Sequence, residues 1–402
     1  MEPKTSARVY YLDWLRVIAT LGVFLFHAIG VFSPAQFEIN NAERSDVLMM
    51  VQIVFFPWGM PLFFLVAGAG SWFALRRRTA GQFTRERTLR LLVPFATGTF
   101  LLGPVQLYLS WSHRVQTGVF AGSFLEFVGV RLAYPFPKIM GAVGYHMWFL
   151  GFLFAYSLLA LPLFVWLKGE AGRKAISWLG GVCQHRGATL LFILPVAVVR
   201  MGLQPFFPVQ QSWADFFAYL TFFVLGYVLF ADERFARAIR RDWPILLGAG
   251  IVAIAGAVPI VMASESFDIE RAPGTAWEML LWGLIAACGW CWSASVLALG
   301  MRHLDRDGRV LRYGLSANLP FFVVHQPVIL AVAYWVVQWD ASILVKLTVV
   351  VLGGLAVSLG FYELLVRRVG LLRAMFGMKA PAGRPVAVQE TAAQRRQGAE
   401  VS

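Results

Sequence analysis

Charge is what this sequence has least of: 14% of its 402 residues are Asp, Glu, Lys or Arg, against 58% hydrophobic. A soluble fold of this length cannot clothe itself with so little polar surface, which excludes the ordinary globular classes and leaves a polytopic membrane protein. Cysteine is also scarce. The three present, Cys183, Cys288 and Cys291, build no disulfide framework. Cys288 and Cys291 have redox spacing in "CGWC", but they stand inside an apolar run, where helix packing is the expected role. No GxxxxGK[ST] loop occurs, which argues against nucleotide-driven transport. No HExxH or HxxE spacing occurs either, and no metal is expected.

Long apolar stretches fill the chain instead. They run at 9–32, 47–75, 89–110, 147–167, 188–203, 216–230, 245–262, 277–299, 315–337 and 343–366. Most approach the length a helix needs to cross a bilayer, about 20 residues; the fifth and sixth are short. The expected fold is all-α, a polytopic integral membrane protein of about 10 transmembrane helices with both termini cytoplasmic. The first run is too long for a signal-peptide core and lacks a small-residue cleavage site, so it is expected to stay as the first span. With the N-terminus inside, 27 of the 35 Lys and Arg fall on the inner side, while the acids split ten and ten, with Asp13 and Glu363 left in spans. That is the positive-inside pattern. The formal charge of +13 therefore reports orientation, and no nucleic-acid partner is expected. The 15 tryptophans, among them Trp14, Trp58, Trp111, Trp148, Trp213 and Trp339, fall mostly near run ends, where interfacial anchors belong.

Residues 1–7 read as a short cytoplasmic N-terminus, 8–370 as one membrane domain, and 371–402 as a basic cytoplasmic tail expected to be disordered. No appended soluble domain and no internal repeat are visible. Prolines pair inside three runs: Pro57 with Pro61, Pro94 with Pro104, Pro320 with Pro327. A proline at membrane depth frees a backbone carbonyl that protein or a wet cavity must satisfy, so these helices are expected to kink, around packing or around a site. The longest outer loop, Trp111 to Tyr145, either covers an outward pocket or is merely structural.

One stretch carries polar residues deep into a span: "LDWLRVIATLGVFLFHA", residues 12–28. Eleven helical steps bring His27 to within about 20° of Arg16, roughly 16 Å along the axis, and Asp13 falls near the same stripe. An Arg at the centre of a span costs about 2.5–3.5 kcal/mol, so it needs a partner or a task. Arg16 either snorkels and pairs with Asp13, or serves a site. His27, flanked by Phe24, Phe26 and Ile29, has no acid of its own helix within pairing reach. Such a residue is a core hydrogen-bonder or, with a pKa near neutrality, a proton carrier. Company favours the second role. His146 in "GYHMWFLGF" and His325 in "LPFFVVHQPVIL" also lie at membrane depth, whereas His113, His185 and His303 fall in loops.

These motifs resemble the membrane-bound acyltransferase-3 family. "LDWLRVIATLGVFLFHA" is similar to its Arg-x10-His signature. "MPLFFLVAGAGSWF" is similar to its second-span motif, with Ala67 where Ser is common and Ala69 where an aromatic is usual. "RTLRLLVPF" resembles its Arg-x-x-Arg motif and places Arg87 and Arg90 at the start of the third span. "HMWFLGFLF" and "FFVVHQPVIL" look like its fourth-span and late-span signatures, so the likeness runs from Tyr10 to about Tyr334. A pure membrane domain of this kind looks somewhat like the glucan-modifying subgroup.

The resemblance implies an O-acyltransferase in the plasma or inner membrane. It would move an acyl group from cytoplasmic acyl-CoA, acetyl-CoA or succinyl-CoA, to a hydroxyl of a glycan or secondary metabolite. His27 and His146 are then the candidate catalytic residues, His27 as general base and His146 orienting the acceptor or stabilising developing charge. Arg87 and Arg90 would hold the donor's phosphates, with Arg16 guiding its pantetheine arm. His325 and Asp13 are assigned to substrate binding. The rival reading is a transporter or flippase for a glycan or lipid-linked substrate, since kinked helices and intramembrane Arg and His also line transport pathways.

Overall fold

The computed structural model describes residues 8–115, 123, 145–208, 210–263 and 275–378. Among them the chain is helical, with no strand. Helix α1 is Tyr10–Gly30, α2 is Asp46–Leu75, and α3 is Ala80–Ser110, continuing as helix to Val115. Trp148–Leu159 (α4) and Leu161–Lys168 (α5) form one apolar pair bent by 44°, followed by α6, Glu170–Val182. Next come α7, Ile193–Leu203, α8, Trp213–Ala231, and α9, Glu233–Ala263. The chain ends in α10, Ala276–His303, α11, Arg309–Val336, α12, Ile343–Phe361, and the short α13, Gly370–Met375.

Eight of these are long and apolar enough to cross a membrane, and the bent pair makes up to nine. The all-α, multi-span class is as expected; the number differs from ten in one place. The fifth run, Ala188–Leu203, is a shorter apolar helix whose first turn is wound as a 3-10 helix. The sixth run, short by hydropathy, lengthens to Trp213–Ala231. Trp58 also departs from expectation. It lies inside α2, stacked on Trp292 at 6.0 Å, and not at an end. Folded chain continues past residue 370: α13 is followed by buried Phe376 and by Gly377 at φ +66°. Residues 1–7 and 379–402 and nearly all of the loop from 116 to 144 lie outside the described residues.

Helix α2 is the hub, packed on α1, α8 and α10, while α1 also contacts α11 and α12. Two glycines make the α2–α8 crossing possible. A Cβ on Gly68 would collide with the Phe223 carbonyl, and one on Gly226 with the Leu65 carbonyl. Small residues let backbones approach where lipid offers no hydrophobic drive between helices. Proline shapes α3 and α11. In α3, π-helical turns at Thr88–Leu92 and Gly98–Leu102 come just before Pro94 and Pro104. Widening the helix there absorbs rings that cannot donate a hydrogen bond and would clash with the turn behind.

Candidate active site

Three helical elements deliver the three membrane histidines to one point. His27 comes from the last turns of α1, His325 from the middle of α11, and His146 from the 3-10 turn Tyr145–Met147 that opens α4. The His27 and His325 rings stack nearly parallel, with centroids 5.2 Å apart. His146 meets His325 edge-on at 4.9 Å and His27 at 6.4 Å. His146 and His325 are buried and His27 is half-buried.

Heavy-atom geometry assigns the protons. His325 Nδ1 lies 2.6 Å from the Phe322 carbonyl oxygen, so it must carry a hydrogen and donate it. In the neutral ring that leaves Nε2 as an acceptor, and His27 Nδ1, 3.0 Å away, is then its donor. His27 is thereby held in the tautomer whose Nε2 keeps a bare lone pair. That nitrogen has no hydrogen-bond partner among the described residues. His146 is assigned the other way round. Its Nε2 sits 3.1 Å from both the Phe322 and Val323 carbonyls and donates to them, while its buried Nδ1 has no partner among the described residues. Pro327 explains the anchor: lacking an N–H, it leaves the Val323 carbonyl without its helical donor, and His146 supplies one.

Among the described residues, several other buried polar atoms without partners stand on helices that pack against α1 and α11: Gln326 Oε1, next to His325; Gln52 Oε1, whose amide nitrogen holds the Phe26 carbonyl at 3.1 Å; and both amide atoms of Gln106 on α3. Others lie elsewhere in the bundle, at Trp282, Ser295 and Ser358. Buried polar groups are nearly always satisfied, so each of these calls for a ligand or water. No group of three or more ligating side chains among the described residues is placed to hold a metal ion.

The arginines form a second group, toward the N-terminal ends of α1 and α3. Arg16, Arg87 and Arg90 lie close enough to repel one another, with Arg78 nearby. Arg87 donates to Ser71 Oγ at 3.2 Å and covers the Phe83 ring at 4.7 Å, but its Nε is buried without a partner. Arg90 and Arg78 share Glu86, at 3.6 Å and 3.1 Å. Gly70 makes room for the Arg16 guanidinium, since a Cβ there would stand 2.6 Å from Nη2. Asp13 does not join His325. It is paired with Arg8 at 2.8 Å and Arg16 at 3.1 Å, about 21 Å down the helix axis from His27. A cluster in which four arginines, Arg16, Arg78, Arg87 and Arg90, face two acids, Asp13 and Glu86, keeps a positive excess suited to a polyanion such as a phosphate group.

The profile of the family described as acyltransferase domain matches residues 9–363, nearly the whole described region. The chain belongs to the acyltransferase-3 family. It is accordingly a membrane acyltransferase, multi-pass and helical. Among curated relatives, the glucans biosynthesis protein C of Salmonella typhimurium (strain LT2) is 23% identical over 400 residues, covering 96% of this chain and 98% of its own. That of Salmonella heidelberg (strain SL476) is 23% identical over 397 residues, covering 95% and 97%. No solved structure matches the chain.

Several neighbours of this candidate site escape sequence reading. Gln326 stands beside a residue the motif singles out, and its position was the available signal. Ser71, which receives Arg87, lies in the second-span motif. Phe37, stacked on His27 at 6.0 Å, and Glu38, bonded to Gln326 at 3.0 Å, sit in a loop with no pattern to mark them.

Proposed function

We propose that this acyltransferase moves an acetyl or succinyl group from cytoplasmic acyl-CoA to a glycan hydroxyl on the opposite side of the plasma or inner membrane. The observation that carries the reading is the His325–His27 hydrogen bond, which leaves Nε2 of the half-buried His27 without a partner among the described residues, between an arginine cluster and the far end of the bundle. The basic bias of the loops supports an arginine end facing the cytoplasm, where acyl-CoA is made. Arg87 and Arg90 bind the donor's phosphates, and Arg16 lies farther up the same path. The relatives' name supports a glucan as acceptor.

In the reaction, His27 Nε2 takes the acceptor's O–H proton as the oxygen attacks the thioester carbonyl. The tetrahedral intermediate expels the sulfur, and the new imidazolium returns its proton to the thiolate. The products are an ester and free CoA. His325 orients His27 and stabilises the charge it gains, the part a third group plays behind any histidine base. Neutral His146 offers an acceptor and no spare donor, so it suits the incoming hydroxyl better than the developing oxyanion.

The test is transfer by purified protein, with radiolabelled acyl-CoA and a glucan oligosaccharide. The expected product is labelled ester with stoichiometric free CoA. Glucan movement across proteoliposomes without ester formation would replace this reading by transport.

A further inference from the structure

At the end of the bundle away from the arginines, the loop between α1 and α2 walls a cavity of about 530 Å³. Among the described residues, His113 at the end of α3 and Val337 and Gln338 after α11 also line it. Its volume falls within the range of small-molecule sites, about 300–1,000 Å³. Among the described residues the lining is polar and balanced in charge. Glu38 and Arg44 have opposite signs, and Gln36 and Gln338 contribute amides. An amide donates and accepts at once, as a sugar hydroxyl does, whereas a phosphate only accepts and an ammonium only donates. Lys346, buried behind the wall, is committed to Asn41 Oδ1 at 3.1 Å and the Val337 carbonyl at 3.2 Å.

Two contacts tie this cavity to the imidazoles. Phe37 lines it and stacks on His27, with ring centroids 6.0 Å apart and planes at 28°. Glu38 lines it and accepts from Gln326 Nε2 at 3.0 Å, one residue from His325. Gln326 is itself buried, and its Oε1 has no partner among the described residues. An apolar ring flanked by amides matches the apolar face and polar edge of a pyranose.

We infer that this cavity is the acceptor site, binding an uncharged sugar end so that one hydroxyl passes Phe37 to reach His27. The assignment rests on the acyl-transfer reading above, but it concerns binding and is testable without turnover. Phe37 is the platform, Gln36 and Arg44 form the rim, and the Glu38–Gln326 bond fixes the wall nearest His325.

The experiment uses the purified full-length protein, with a glucose hexasaccharide as probe and a glucuronic-acid hexasaccharide as charged control. Ala42→Trp fills the cavity from an exposed lining position without removing a side-chain hydrogen bond. Gln36→Ala trims the rim at another exposed position. In the absence of donor, wild type binds the neutral probe more tightly than the charged one, and Ala42→Trp weakens binding by at least about tenfold. Gln36→Ala weakens it about threefold, and acceptor KM follows while donor KM stays within about twofold. Absence of wild-type binding, preference for the charged probe, or binding unchanged in Ala42→Trp would each overturn the assignment. Cavity-dependent binding with no transfer from any acyl-CoA would uphold the assignment and overturn the acyl-transfer reading instead.

Discussion

Two buried polar clusters in this bundle differ in what they leave over. Where α7 meets α8, Arg200 is bonded to Asp215 and to Gln204 Oε1, and its guanidinium lies over Tyr219 and Trp282. Asp215 also receives the Gln211 amide at 2.6 Å, delivered by a backbone turned to φ +62°. There the ion pair and its amide are satisfied by one another, and only the neighbouring Trp282 Nε1 goes without a partner among the described residues. Around His325 the bonds run outward and end on bare nitrogens, His27 Nε2 and His146 Nδ1. An unsatisfied buried acceptor costs about 1–3 kcal/mol, which stability alone does not explain. A closed cluster holds the fold; an open one is available to a substrate.

The comparison breaks if the two clusters respond alike. Asp215→Ala strands a buried guanidinium and should cost about 3–5 kcal/mol of stability, read as lost thermal tolerance in detergent. Its folded fraction should turn over within about twofold of wild type. His325→Phe should do the reverse. Chain of similar bulk is kept, the melting temperature holds, and kcat falls about 100-fold because His27 loses its orienting acceptor, with both KM values nearly unchanged. Gly68→Ala sharpens the contrast from the packing side. Its Cβ meets the Phe223 carbonyl, so a loss of about 1–3 kcal/mol is expected with no selective effect on either substrate. Arg87→Ala should give the smallest effect, about a tenfold rise in donor KM with acceptor KM unchanged. An unchanged donor KM would remove Arg87 from the phosphate site.

The open cluster was far more legible in sequence than the closed one. Helical arithmetic put Arg16 and His27 on one face, and the motifs pointed to His146 and His325, because rarity at membrane depth marks such residues. Paired prolines announced freed carbonyls, but not that Val323 would hold His146, since that contact joins residues far apart in the chain. Nothing in the sequence marks Arg200 and Asp215 as partners. Their pairing depends on how the short α7 helix docks, which hydropathy does not encode. Periodicity puts Asp13 on the same stripe, and of the readings open for Arg16 the structure shows the pair with Asp13, which Arg8 also joins. The outer cavity left no trace because loop 31–45 has no period from which a wall can be read.

The most direct test of the central claim is acyl transfer by purified His27→Ala, with acyl-CoA binding measured on the same preparation. Donor affinity should stay within about twofold while transfer falls by about 10²–10⁴, the share a positioned base supplies. Near-normal transfer by that variant would contradict the account.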